Sequence, residues 1–152
     1  MKDQTDLDIL KALQEDGRIS NAEISRRLGL APSAVLERIR RMERSGVIER
    51  FEVRLSPRKL GLDLTVLIEL DTDESPSEHK IAGQLAEIPE IQEIHEVAGT
   101  RDYFLKVRVS GTDELASVLD RIGSIPHVLN SRTTLVLRTF KETAALPLND
   151  QK

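Results

Sequence analysis

Residues Ser20–Ile48 read SNAEISRRLGLAPSAVLERIRRMERSGVI, and this stretch decides the fold of the first third of the chain. Ser20 and Glu23 stand three apart before an apolar run. That is the spacing of a capping box, in which the serine oxygen and the carboxylate each satisfy a backbone amide at a helix start. A short helix is predicted, with Ala22, Ile24 and Leu28 on its apolar side and Gly29 ending it in the left-handed conformation. Pro32 brings the fixed φ of a first helical turn, and Val35, Ile39 and Met42 recur at helical spacing on one face. At about 100° per residue the opposite face collects Ser33, Glu37, Arg40, Arg41 and Arg44. Two helices joined by a glycine turn, the second faced with arginine, form the layout of a helix-turn-helix, which sets its second helix in the major groove of DNA.

An arginine-rich face is ordinarily no more than the solvated side of an amphipathic helix. The distribution of charge argues for more here. Arg26 to Lys59 carries 10 Lys or Arg against 4 Asp or Glu, whereas the whole chain is formally −4. Such a local surplus attracts phosphates and releases counterions, while the acidic remainder argues against indiscriminate coating of nucleic acid. The candidate DNA-contacting residues are Arg26, Arg27, Ser33, Ala34, Glu37, Arg38, Arg40, Arg41 and Arg44. Of these, Ser33, Ala34, Glu37 and Arg38 lie near enough to the helix start to read base edges. With Tyr103 as the one tyrosine and no tryptophan, little is available for stacking on single strands, so duplex DNA is the expected partner.

Charge also divides the chain. Residues 1–59 sum to +3 and residues 60–152 to −7, which predicts a DNA-binding domain over 1–59, a linker at SPRKLG (56–61), a second domain over 60–145 and a tail over 146–152. Ahead of the motif, Thr5 and Asp8 form another capping box for a helix burying Leu7, Ile9, Leu10 and Leu13. Behind it, Gly46 ends the arginine helix. Val47, Ile48, Phe51, Val53 and Leu55 then give a β-like apolar series among charged residues, which reads as a wing hairpin. There is no cysteine, so neither a disulfide framework nor a thiolate metal site is available. No signal-peptide core and no membrane-length apolar run is present, so a soluble cytoplasmic protein without a membrane partner is expected.

The second half contains an internal repeat. Ile88-Pro89-Glu90-Ile91 and Ile125-Pro126-His127-Val128 lie 37 residues apart, each after a predicted helix and before a predicted strand. The first unit reads strand (Leu64, Val66, Ile68, Leu70), helix (Ile81, Leu85, Ile88), strand (Ile91, Ile94, Val97). The second reads strand (Tyr103, Leu105, Val107, Val109), helix (Leu115, Val118, Leu119, Ile122) and a last strand over about 132–140. The class is α+β, a winged helix-turn-helix followed by a ferredoxin-like βαββαβ domain. Helices cover one face of such a sheet. The apolar Leu67, Phe104 and Val136 on the other call for a second subunit, so the domain is expected to dimerise through its sheet.

With LDILKALQEDGRISNAEISRRLGLAPSAVLERIRRMERSGVIERF in the first half and VAGTRDYFLKVRV in the second, in order and at matching spacing, almost the whole chain resembles the Lrp/AsnC, or feast/famine, regulators. The resemblance implies a transcription factor with a RAM/ACT-like sensory domain. It also implies dimers that assemble further, often into octamers, bend or wrap DNA, and respond to a small molecule, commonly an amino acid. In one departure, Ala31 precedes the proline where many members have serine or threonine, so a weaker helix cap is expected. The matching loop Gly99-Thr100-Arg101-Asp102-Tyr103 lines the effector pocket between dimers in that family. A free amino acid presents an ammonium and a carboxylate on one carbon, which Asp102 and exposed amides beside Gly99 can read together. On the residues alone, a tight hairpin, with Gly99 at positive φ and Asp102 bonding its own turn, explains the same sequence. Thr133 and Thr134 are further candidates, contributing hydroxyls from a neighbouring subunit.

Other chemistries find less support. His79, His95 and His127 are isolated, Glu87, Glu90, Glu93 and Glu96 straddle a helix end and a strand, and neither set has metal-ligand spacing, so no catalytic residue, metal or cofactor is expected. Sirohaem decarboxylases resemble the same family, but their winged-helix half is typically altered, whereas here it keeps its basic outward face. The remaining alternative is an architectural protein that compacts DNA by multimerising, without an effector.

Overall fold

The computed structural model describes residues 3–75 and 78–148. The chain divides into two compact units, Met1–Arg54 with Glu142–Lys152, and Leu55–Lys141.

The first unit is built on three helices, α1 (Gln4–Glu15), α2 (Asn21–Leu28) and α3 (Pro32–Arg44). Their apolar stripes meet in a core of Ile9, Leu10, Ala12, Ile24, Val35, Ile39 and Met42, with Leu13, Leu28 and Ile48 against it. The turn between α2 and α3 depends on Gly29 at φ 67°, a region that penalises a Cβ. Gly46, at φ 71°, follows α3, and the amides of Val47 and Ile48 both return to the Met42 carbonyl.

Three expectations need correction. α1 begins one residue before Thr5, and Asp3 is its cap, accepting from the Asp6 amide at 2.8 Å, so Thr5 lies inside the helix. No wing hairpin forms. Residues 49–56 are exposed and belong to no helix or strand, and Pro57 leads into a 3-10 turn over Arg58–Leu60, closed by Gly61 at φ 77°, so among the described residues no strand pairs with them. That turn is hydrogen-bonded rather than a loose linker, and the division between units falls at Arg54, before it, where composition alone places it near 59.

The end of the described chain is not a separate tail. Gln14 on α1 donates from Nε2 to the Leu146 carbonyl (3.1 Å) and accepts the Leu146 amide on Oε1 (2.6 Å). Leu148 packs against the three-helix core, and Arg54 bonds Glu142. Residues 149–152 of the expected tail lie outside the described residues.

The second unit is a four-stranded antiparallel sheet, β1 (Leu64–Thr72), β2 (Ile91–Glu96), β3 (Tyr103–Val109) and β4 (Val128–Leu135), ordered β2-β3-β1-β4. With α4 (Lys80–Ala86) and α5 (Thr112–Gly123), this is the ferredoxin-like βαββαβ order. Period-two alternation sends Val66, Ile68 and Leu70 of β1 and Tyr103, Leu105, Val107 and Val109 of β3 to one side. There they enclose a core with Ile81 and Leu85 of α4, Val118 and Ile122 of α5, and the repeated Ile88 and Ile125. The opposite face carries Leu67 and Phe104, half-buried with no covering element among the described residues of this chain. β4 spans 128–135 and not 132–140. It pairs from Val128 against Thr72 to Leu135 against Val66, and just beyond it the Val136 amide donates to the Thr65 carbonyl at 2.9 Å.

Candidate DNA interface and effector loop

Ser20 caps α2 by accepting the Glu23 amide (3.1 Å), which is half of the predicted box. The other half is not made. The Glu23 carboxylate turns to Arg26, with contacts of 2.7 to 3.0 Å, and to Arg27 Nε (3.0 Å), and the two guanidiniums hold it below the usual carboxylate range. Arg26 and Arg27, both assigned to DNA by sequence, are therefore ion-paired along their own helix, Arg27 also with Glu15 at 3.7 Å.

On α3 the predicted division of faces is observed. Val35, Ile39 and Met42 are buried, Ser33, Glu37, Arg40, Arg41 and Arg44 are exposed, and Ala34 and Arg38 lie between. Ala31 provides no side-chain cap and Pro32 takes the first helical position. The exposed arginines are not equivalent. Arg40 and Arg44 form no ion pair among the described residues, whereas Arg38 and Arg41 reach back to the start of α1. Arg38 Nη1 donates to Asp3 (2.6 Å) and Asp6 (2.8 Å), and Arg41 Nη2 donates to both oxygens of Asp6 (2.8 and 3.1 Å). The reason is angular: at 100° per residue Arg38 falls about 40° from Met42, on the flank of the buried stripe that faces α1. Asp3 and Asp6 went unrecognised as partners because their link to α3 spans more than 30 residues. The signal present was two acids at i, i+3 beside a helix start.

In the second unit, the loop between β2 and β3 keeps Gly99–Tyr103 together. Val97 donates to the Asp102 carbonyl and Asp102 to the Leu70 carbonyl, both at 2.9 Å, which anchors the loop on β1. The Asp102 carboxylate accepts from the amide (2.7 Å) and hydroxyl (3.2 Å) of Thr72, so it bonds a neighbouring strand and not its own turn. Arg101 is paired with Asp71 and lies 3.6 Å from Glu69. Tyr103 is buried, and burial raises its phenol above the ordinary range, with the Glu74 carboxylate nearby. Glu74 itself accepts the first amides of α4, from Lys80 at 2.7 Å and Ile81 at 3.2 Å. Gly99 and Thr100 are exposed. Gly99 is not at positive φ, and beyond its chain neighbours no heavy atom among the described residues lies within 4 Å of where its Cβ would stand.

Thr133 and Thr134 are not brought to this loop within one chain. They sit on β4 opposite Ile68 and Leu67, on the far side of β1 from β3, and their side chains face opposite sides of the sheet. The three histidines each pair with one carboxylate: His79 with Glu96, His95 with Glu93 and His127 with Asp73. His79 and His127 adopt positive φ, which nothing in the sequence signals.

A helix-turn-helix unit joined to a ferredoxin-like unit with an open loop defines a class, the DNA-binding regulators that carry their own ligand-binding domain. Residues 2–49 match the winged helix-turn-helix DNA-binding family, and residues 64–146 match the Lrp/AsnC ligand-binding domain. The chain belongs to the Lrp/AsnC family of transcriptional regulators. It is 41% identical over 146 residues to the HTH-type transcriptional regulator FL11 of Pyrococcus horikoshii, covering 96% of each. To the leucine-responsive regulatory protein of Escherichia coli it is 37% identical, covering 95% of this chain and 90% of the relative. Its fold is similar to that of the transcriptional regulator NMB0573 of Neisseria meningitidis, solved as a complex with L-Met, with a TM-score of 0.92, 31% identity and 98% of each chain covered. Among the described residues no helix is long and apolar enough to cross a membrane.

Proposed function

We propose that the chain regulates transcription by setting α3 in the major groove of duplex DNA, and that an amino acid bound at the Gly99–Tyr103 loop tunes its DNA affinity and assembly. The observation that carries this reading is the pairing, in one chain, of an exposed cationic helix face with a rigidly anchored loop whose tip is open. A relative that is a leucine-responsive regulatory protein and a similar regulator solved as a complex with L-Met support the ligand class. Ser33, Ala34, Glu37, Arg40, Arg41 and Arg44 face DNA; Gly99, Thr100 and the loop amides meet the effector, with Thr133 and Thr134 entering from a neighbouring subunit.

The working unit in this reading is a homodimer, extended to a higher oligomer such as an octamer, and it acts by binding and not by catalysis, in the cytoplasm. Two apolar features favour a second copy. Leu67 and Phe104 lie half-buried on the uncovered sheet face, and Phe51, Val53 and Leu55 are exposed at alternate positions. The test uses a duplex enriched by selection from a random library. Fluorescence anisotropy is expected to show tight, salt-dependent binding that Arg40→Ala/Arg41→Ala/Arg44→Ala abolishes, and a thermal-shift screen is expected to find an amino acid that stabilises the fold by mass action. Unchanged binding by the triple variant overturns the DNA assignment. No shift with any amino acid favours the architectural alternative.

A further inference from the structure

We propose that Asp6, assisted by Asp3, is a positioning residue that sorts the arginines of α3, clamping Arg38 to the protein and aiming Arg41, so that Arg40 and Arg44 supply the bulk of the phosphate contacts. The inference rests on the reading of α3 as the DNA-contacting helix. It assigns a role in DNA discrimination to two acids of α1 that stand outside the motif.

The geometry is specific. The Asp6 side chain is only 8% exposed, yet it accepts three hydrogen bonds from two arginines of another helix. A carboxylate that is nearly dry is tolerated only when paired and hydrogen-bonded in this way. Arg38, 27% exposed, spends one nitrogen on both Asp3 and Asp6 and is turned toward the protein. Arg41, 55% exposed, gives Asp6 only its Nη2, which holds the guanidinium at one nitrogen while Nε and Nη1 make no ion pair among the described residues. A guanidinium held at one nitrogen by a carboxylate loses rotameric freedom, and its remaining N–H groups are oriented to donate to a phosphate or a base edge. Negative charge beside the helix also subtracts from its generic attraction for phosphate. The pair of acids therefore trades non-specific affinity for discrimination, as like-charge placement does at specific interfaces.

The test compares the full-length chain with Asp6→Asn, Asp6→Glu and Arg40→Ala/Arg44→Ala, each titrated against the selected duplex and a scrambled duplex across a range of salt. Asp6→Asn keeps an acceptor and removes the charge. It is expected to steepen the salt dependence on scrambled DNA by about 0.9 for each arginine released, and to lower the ratio of selected to scrambled affinity about tenfold. Asp6→Glu is expected to restore much of that ratio. If Asp6→Asn weakens both duplexes equally with the salt slope unchanged, in step with a lower Tm, Asp6 only stabilises the domain and the proposal is wrong. If Asp6→Asn does not fold, Asp3→Asn carries the test through Arg38: released from Asp3, Arg38 should steepen the scrambled-DNA slope, and an unchanged slope overturns the proposal. Loss of binding by Arg40→Ala/Arg44→Ala with no effect of either acid variant sinks this inference alone, whereas normal binding by the double arginine variant sinks the reading of α3 beneath it.

Discussion

The exposed face of α3 and the loop over Gly99–Tyr103 both bring arginine near carboxylates, and they use the charges in opposite ways. On α3 the acids of α1 engage Arg38 and Arg41 while Arg40 and Arg44 are left in surplus. In the loop both charged residues are committed to the fold, Asp102 to Thr72 and Arg101 to Asp71. The lesson is that the first region keeps charge it has not neutralised, and the second holds a shape whose tip, at Gly99 and Thr100, is exposed. A polyanion needs surplus cations. A zwitterionic amino acid needs fixed dipoles and a precise concavity, which internal ion pairs can build.

The largest effect should come from the surplus side. Arg40→Ala/Arg44→Ala is expected to lower affinity for the selected duplex on the order of a hundredfold at low salt, and to make the salt slope shallower by about 1.8, whereas Arg101→Ala should leave both unchanged in the absence of effector. Equal losses in the two variants, read by anisotropy, would break the comparison. Next in size, Asp102→Ala strands the Thr72 amide and hydroxyl and is expected to destabilise the fold by about 1–3 kcal/mol, with loss of the amino-acid thermal shift; Asp102→Asn, which keeps an acceptor, should lose less stability. Denaturant titration with and without amino acid separates the two effects.

The acid limb follows from the same ion pairs. Arg38 holds Asp3 low, Arg26 and Arg27 hold Glu23 low, and Lys106 holds Glu93 low, each chiefly through a hydrogen bond. Their folded values lie below their unfolded ones, so this stabilisation is complete above the unfolded carboxylate range near pH 4 and is withdrawn as pH falls through the lower folded values. Thermal midpoints should be flat from about pH 6 to 5 and decline below about pH 4, less steeply in high salt because the groups are largely exposed. The smallest change is a gain: Ala31→Ser supplies the cap that α3 lacks, and is expected to add about 1 kcal/mol, a few degrees in Tm, without altering the response to an amino acid.

What could be read from the residues follows the range of the forces. The glycine turn at Gly29, the Pro32 start, the buried stripe of α3 and the strand alternation of β1 and β3 are local patterns of period 3.6 or 2, and all are present in the structure. The repeat around Ile88 and Ile125 led correctly to the βαββαβ order because each isoleucine closes the core after its helix. Failures arose where a local pattern needed a distant partner. The alternation through Phe51 and Val53 looks like a hairpin, but among the described residues no strand returns to pair with it, and the Ser20/Glu23 box is half made because Arg26 and Arg27 compete for the carboxylate. Asp3 and Asp6 with Arg38 and Arg41, Thr72 with Asp102, and Gln14 with Leu146 are long-range pairs that no spacing rule encodes.

The claim at the centre is that surplus charge on α3 and the shaped loop act as output and input of one device. It is tested most directly by titrating the full chain with the selected duplex, with and without the amino acid that raises its Tm most. Linkage predicts that the amino acid changes DNA affinity by some factor and that saturating DNA changes amino-acid affinity by the same factor. An amino acid that binds and stabilises the chain yet leaves DNA affinity and assembly state untouched would contradict the account.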